Sequence, residues 1–190
     1  RAGFDRIQPV GQGTQRTGEV FGGNRVADFH RLQRIETGLD RSVDDAKWSG
    51  DRIAIQVDDQ GQRKVLLQAR DGFDVISDRV SGVTLGRPYI SGSFDVRDGV
   101  FALTEGSVTR PADLVIRQGG SAEQISRVNE DVLGPLTLAR AERLVYPSSF
   151  DGTPIEGWVL YPPGYDESKR YPLILELHGG PHLAYGPHFS

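Results

Sequence analysis

Short apolar runs recur along the chain at a nearly constant interval, and this repeat constrains the fold more than any other feature. The run at residues 53–55 (IAI) lies 48 residues before FAL at 101–103, and KVLLQA at 64–69 lies 49 residues before DLVIRQ at 113–118. A repeat of about 40–50 residues built from short strands is typical of β-propeller blades. Two unrelated antiparallel meanders of a β-sandwich would give the same pattern, so the sequence favours a propeller over a sandwich without excluding the latter.

Turn residues predict how the strands of the first repeat are connected. The tetrapeptide DQGQ at 59–62 indicates a hairpin turn between RIAIQV and KVLLQ. Alternation of apolar and polar residues in RIAIQV predicts that Ile53, Ile55 and Val57 share one face. Residues 1–40 are polar and glycine-rich and indicate little about structure.

The pattern changes near residue 140, where we predict a domain boundary: a partial β-propeller over 1–140 and the first strands of an α/β-hydrolase domain over 141–190. Three strands are predicted at 143–148, 154–162 and 172–178. The first two alternate, as an antiparallel edge hairpin does. The third is almost entirely apolar, which is typical of a strand buried on both faces of a parallel sheet. The fragment is therefore expected to be mostly β.

The tetrapeptide HGGP follows the third predicted strand at 178–181. Open α/β sheets bind ligands at the carboxyl ends of their strands, and glycines let the backbone approach a bound group closely. In α/β-hydrolases, the loop after the third strand supplies an oxyanion-hole N–H, often within an HGGG-type motif. We therefore predict that this loop supplies a backbone N–H to an oxyanion and that Pro181 stiffens the loop. A plain Gly-Gly turn that closes a strand is the alternative.

From about residue 40 to its end, the sequence resembles the prolyl oligopeptidase family of serine peptidases, especially acylaminoacyl-peptidase and dipeptidyl-peptidase-like bacterial members. The specific part is SSFDGTPIEGWVLYPPGYDESKRYPLILELHGGPHLAYGPHFS at 148–190; residues 86–116 and VNEDVL at 128–133 look like the last propeller blades. The resemblance implies a propeller that caps an α/β-hydrolase domain, an active site between them, and an oligopeptide substrate. It also implies that the backbone N–H of Gly180 is the oxyanion donor, while His178 and Gly179 shape the turn and Pro181 fixes its exit.

The catalytic triad of such an enzyme is not expected within this chain. No serine has the G-x-S-x-G setting of a nucleophile, and the acid and base follow the nucleophile in chain order. His182 and His188 precede that place and are poor candidates for the base. The chain by itself is thus predicted to be inactive. Arg87 and Tyr89, between the repeats, are candidates for substrate binding, because a guanidinium can hold a carboxylate or carbonyl.

Composition limits the other functions. The net charge of −4 argues against nucleic acid as a partner, no apolar run is long enough to span a bilayer, and the absence of cysteine removes thiolate chemistry. No cofactor or metal is expected. The chain contains no methionine, so it is expected to be an internal fragment, and its compartment is left open, as is homo-oligomerisation. An esterase-type hydrolase and a non-catalytic propeller interaction module are the alternatives to a peptidase.

Overall fold

Short antiparallel strands make up most of the fold, and helix is almost absent. The computed structural model describes residues 37–82, 87–179 and 183–190. Residues 43–190 form one unit, while residues 37–42 belong to a separate N-terminal unit. The elements of the described chain are β1 (Val43–Ser49), β2 (Arg52–Asp59), β3 (Gln62–Ala69), β4 (Gly72–Val80), β5 (Phe94–Arg97), β6 (Val100–Ser107), β7 (Arg110–Gln118), β8 (Ser121–Gln124), α1 (Glu130–Leu133), β9 (Arg140–Pro147) and β10 (Pro154–Tyr161).

The first eight strands form two successive meanders. Strands β1–β4 pair in chain order and are called the first meander; β5–β8 likewise pair in order and are called the second meander. Each strand of the second meander begins 48 to 51 residues after its counterpart in the first. The sequence repeat thus corresponds to a repeat of four antiparallel strands. The assignment of each meander to a propeller blade stays a prediction.

The predicted hairpin between β2 and β3 is confirmed. Asp59 pairs with Gln62, and the two residues between them, Gln60 and Gly61, have φ angles of 54° and 70°. Positive φ at both central positions is characteristic of a type I′ turn, whose twist matches that of the flanking strands. Ile55 and Val57 are buried and Ile53 is partly buried, in agreement with the predicted shared face of β2. Ala54 and Gln56, on the opposite face, are buried as well.

The two meanders share one hydrophobic core. Its buried members come from both meanders: Ala54, Val65, Leu67, Val80, Phe94, Phe101 and Leu103. Only one residue pair, Val80 with Glu105, joins β4 to β6 directly. Side-chain packing, rather than continuous sheet pairing, therefore holds the two meanders together, and the burial of large apolar residues such as Leu103 stabilises this contact.

A buried ion pair lies at this contact. Glu105 is 8% exposed and accepts hydrogen bonds from Ser77 Oγ at 2.6 Å and from Arg117, whose Nη2 lies 3.0 Å from Oε2. Burial alone would raise the pKa of Glu105, but the hydrogen bonds from Arg117 and Ser77 outweigh it and hold the pKa below its ordinary value of 4.5. The carboxylate is thus kept charged within the core.

We expect this carboxylate to make stability depend on pH. Because the folded pKa is lowered, the stabilisation is complete above about pH 4.5 and is lost as the pH falls through the folded pKa. Urea denaturation followed by far-ultraviolet circular dichroism should show the free energy of unfolding falling in acid more steeply for the wild type than for Glu105→Gln. Equal slopes for the two proteins would contradict the expectation.

Strands β9 and β10 confirm the predicted antiparallel hairpin, whereas its place at the edge of a larger sheet stays a prediction. They pair over their whole length, from Pro147 with Pro154 to Arg140 with Tyr161. The turn is closed by a hydrogen bond from the backbone N–H of Ser148 to the carbonyl of Thr153 at 2.8 Å. Most residues of β9 are exposed on both faces. The hairpin therefore has apolar surface that no described residue covers.

The prediction of a third strand at 172–178 is wrong. Residues 171–179 contain no strand, and the leucine and isoleucine side chains that were expected in a core are 75–91% exposed: Leu173, Ile174, Leu175 and Leu177. A strand forms only where its backbone N–H and carbonyl groups find partners. Within the described residues the β9–β10 hairpin does not pair with this segment, so an apolar pattern alone did not make it a strand.

Candidate functional site

Residues 87–90, in the connection between the two meanders, pair with a short segment near the C-terminus. Tyr89 forms an isolated antiparallel bridge with Tyr185. The N–H of Ile90 donates to the carbonyl of Ala184 at 3.0 Å, and the N–H of Gly186 donates to the carbonyl of Pro88 at 3.0 Å. The structure therefore brings residues almost a hundred positions apart into direct backbone contact.

A polar cluster lies beside this pairing. The Arg87 guanidinium donates from Nη1 to Glu176 Oε1 and to the Tyr185 hydroxyl, the latter at 3.1 Å. The Tyr185 hydroxyl in turn donates to Glu176 Oε1 at 3.2 Å. The ring of Tyr185 lies 4.9 Å from that of Tyr89 and 5.1 Å from that of His178, between ring centroids. Two predicted substrate-binding residues and one predicted turn residue thus meet in one place.

The cluster holds its members in defined charge states. Hydrogen bonding to Tyr185, together with the charge of Glu176, raises the pKa of Arg87 above its ordinary value. Desolvation is the largest cause that raises the pKa of Tyr185, and the hydrogen bond to Glu176 adds to it. At neutral pH the cluster therefore contains a guanidinium and a neutral phenol, both of which can donate hydrogen bonds.

The glycine turn is described only in part. His178 and Gly179 are exposed, and His178 Nδ1 lies 3.2 Å from the carbonyl oxygen of Gly179. A Cβ atom added to Gly179 would meet nothing within 4 Å, so open space surrounds this position. The other predicted turn residues, Gly180 and Pro181, lie outside the described residues, and the oxyanion role of Gly180 stays a prediction.

The sequence reasoning missed Glu176 and Tyr185. Glu176 is the only charged residue in the apolar run at 172–178, and a lone charge in such a run is a signal that could have identified it. No local pattern marks Tyr185. Its importance depends on contacts with Arg87 and Tyr89, which lie far away in sequence.

A second polar contact lies near the C-terminus. His188, 7% exposed, has its Nδ1 atom 2.8 Å from the Oγ atom of Ser81. Burial, followed by the charge of Arg63, lowers the pKa of His188 below its ordinary value of 6.5, although Asp58 opposes this. The imidazole is therefore neutral at neutral pH.

Glycines allow residues 183–190, the C-terminal segment, to pack closely around His188. A Cβ atom on Gly186 would collide with the carbonyl oxygen of Gly61 and would lie 2.7 Å from the imidazole of His188. A Cβ on Gly61, in turn, would lie 3.0 Å from Trp158 Nε1. The β2–β3 turn, the β9–β10 hairpin and the C-terminal segment thus meet around these two glycines.

We expect Gly186→Ala to destabilise this packing by about 1–3 kcal/mol, because the added methyl group must displace backbone or a buried ring. Urea denaturation would measure the loss. Gly157→Ala in β10 is the matched control, since a Cβ there meets nothing within 4 Å. Equal stability of the two variants would show that the C-terminal segment is not packed as described.

No helix within the described residues is long and apolar enough to cross a membrane. Within the same ranges, no group of three or more histidine, aspartate or glutamate side chains is placed to hold a metal ion.

Comparison with known proteins shows which proteins the chain is similar to. No protein-family model matches the chain. It is 35% identical over 78 residues to the uncharacterized peptidase YuxL of Bacillus subtilis, a match that covers 40% of this chain and 12% of YuxL. The acylaminoacyl peptidase structure of Pyrococcus horikoshii superposes with a TM-score of 0.62 at 22% identity, covering 80% of this chain and 23% of that one. The chain is thus related to peptidases, and its fold matches part of one.

The relatives that match more of the chain have a more specific name. Dipeptidyl-peptidase 5 of Aspergillus fumigatus is 29% identical over 149 residues, which are 75% of this chain and 20% of that protein. The resemblance to the prolyl oligopeptidase family is therefore confirmed. The chain spans only about a fifth, or less, of the length of these curated relatives.

Proposed function

We propose that the chain is a segment of a serine peptidase that hydrolyses short peptides through an acyl-enzyme. The chain is related to peptidases and spans only a fifth or less of their length, which supports a segment of a longer enzyme. In this proposal the two meanders are propeller blades, and the part beyond about residue 140 is the start of the catalytic α/β-hydrolase domain. The nucleophile, acid and base lie in the remainder of the enzyme.

The observation that carries the proposal is the meeting of Arg87, Tyr89 and His178. Arg87 and His178 are 91 positions apart, yet both contact Tyr185. A peptide-hydrolysing site needs hydrogen-bond donors that are held in place before the substrate arrives. The guanidinium of Arg87, fixed by Glu176 and Tyr185, is such a donor beside the glycine turn.

Each residue has a role in the proposed chemistry. Attack by a serine on the scissile carbonyl builds negative charge on its oxygen, and the N–H of Gly180 donates to that oxyanion. His178, Gly179 and Pro181 shape the turn that presents this N–H. Arg87 and Tyr89 contact the peptide substrate: the guanidinium binds a carbonyl or carboxylate, and the Tyr89 ring packs against its apolar part.

The experiment that tests the proposal uses the complete protein that contains this chain. We expect turnover of fluorogenic dipeptide amides that a fluorophosphonate abolishes, with covalent labelling of one serine outside residues 1–190. Substrates with free and with acylated N-termini would separate dipeptidyl-peptidase from acylaminoacyl-peptidase activity.

The controls address the alternatives. The isolated 190-residue chain should neither turn over the amides nor react with the fluorophosphonate, because it lacks the triad. Ester hydrolysis without amide hydrolysis would favour an esterase. A complete protein that shows neither labelling nor turnover would contradict the proposal and favour a non-catalytic propeller module.

A further inference from the structure

Ser81 is buried and closely packed where the two meanders meet. It follows β4 directly, is 1% exposed, and its backbone N–H donates to the carbonyl of Thr104 at 2.9 Å. Glycines surround it closely: a Cβ on Gly92 would lie 2.8 Å from the Ser81 backbone nitrogen, and one on Gly106 would lie 3.1 Å from its Oγ atom. The Ser81 hydroxyl is thus fixed at the contact between the two meanders.

The bond from this hydroxyl reaches the segment that completes the candidate site. His188, the partner of Ser81, is separated from it by 107 positions. Only Gly186 and Pro187 lie between Tyr185 and His188 in the sequence, and the N–H of Gly186 donates to the carbonyl of Pro88. Tyr185 then contacts both Glu176 and His178. A short path of direct contacts therefore connects Ser81 to the site.

The geometry does not fit a catalytic serine–histidine pair. Both side chains are buried, so no substrate reaches the Ser81 hydroxyl. In a Ser–His–Asp triad the histidine faces the serine through Nε2 and donates from Nδ1 to a carboxylate. Here Nδ1 faces Ser81, and His188 Nε2 has no hydrogen-bond partner among the described residues. The pair therefore has a different role from nucleophile activation.

We propose that Ser81 and His188 are positioning residues, which hold residues 183–190 against residues 87–90 and thereby fix Tyr185, Arg87 and Glu176 for peptide hydrolysis. This inference rests on the proposed function. The pair acts through Tyr185 and touches no substrate. Because catalysis is sensitive to displacements of about 1 Å, loss of this anchor lowers turnover even in a folded enzyme.

The test is a double-mutant cycle in the complete protein, with Ser81→Ala, His188→Ala and the double variant. We expect each single change to lower kcat on a dipeptide amide about tenfold, with KM within about twofold, and the double variant to be no worse than either single one. Titration of active sites with a fluorophosphonate corrects for any unfolded fraction.

Two matched variants sharpen the test. Ser91→Ala removes a buried hydroxyl of the same connection that has no hydrogen-bond partner among the described residues, and it should leave kcat unchanged. His188→Asn places an amide near the position of Nδ1 and should recover most of the activity that His188→Ala loses. Additive losses in the cycle, or wild-type kcat in both single variants, would overturn the proposal.

A second measurement separates this inference from the proposed function. Hydrogen–deuterium exchange of the backbone amides in residues 183–190 should increase in Ser81→Ala and not in Ser91→Ala, whether or not the protein has activity. A wild type without turnover would contradict the proposed function alone. Unchanged hydrogen–deuterium exchange in Ser81→Ala would overturn the proposal that this pair anchors residues 183–190.

Discussion

Replacement of Arg117 by methionine is expected to lower the free energy of unfolding by about 3 kcal/mol at neutral pH. The change leaves the carboxylate of Glu105 buried, with its side chain only 7% exposed and without the bidentate partner that it has in the wild type. Leaving a charge buried without its partner costs far more free energy than losing the attraction between the two charges. Urea denaturation at pH 7 would measure the effect.

Three comparisons distinguish this cause from a general loss of packing. The double variant Glu105→Gln/Arg117→Met should recover much of the stability, since no charge is then buried alone. Arg117→Met should also be less harmful in acid, where Glu105 is protonated. Arg143→Met removes the exposed ion pair with Glu156 and should cost less than about 1 kcal/mol. Equal losses for Arg117→Met and Arg143→Met would contradict the role of burial.

Replacement of Gly180 by proline is expected to lower kcat for peptide amides by about 100- to 1000-fold, because proline has no backbone N–H to donate to the oxyanion. KM should change little, since the bond forms fully only in the transition state. The measurement is steady-state hydrolysis by the complete protein, with active sites counted by fluorophosphonate titration.

Gly180→Ala is the matched control, because alanine keeps the N–H. It should retain much more activity than Gly180→Pro. An equal loss in the two variants would show that the turn needs glycine for its backbone conformation and that no N–H at this position is used. Wild-type kcat in Gly180→Pro would remove Gly180 from the proposed oxyanion hole.

The features that the sequence predicted correctly depend on neighbours along the chain. The spacing of the repeat, the turn at Gln60–Gly61 and the β9–β10 hairpin are all set by local alternation and by turn residues. The predicted strand at 172–178 failed because a strand also needs partners, which an apolar pattern does not supply. The burial of Ala54 and Gln56 on the second face of β2 was not predicted, because burial depends on neighbours that the local pattern does not specify.

In the candidate site, too, the local sequence predicted some features, while others depend on residues far apart in the chain. Arg87, Tyr89 and His178 were identified by residue type and by position relative to predicted elements. Their meeting was not predictable, because it depends on Tyr185, which lies 98 positions from Arg87. The Ser81–His188 hydrogen bond was not predictable either, because neither residue lies in a distinctive sequence motif.

The bare apolar segment at 172–177 has a practical consequence for work with the isolated chain. PLILEL combines high β-propensity with a single charge, and its exposed backbone can pair with the same segment of another molecule. Preparations of the 190-residue chain should therefore self-associate through this segment, in proportion to concentration. Leu175→Lys would suppress such aggregation and make the two meanders accessible to solution spectroscopy.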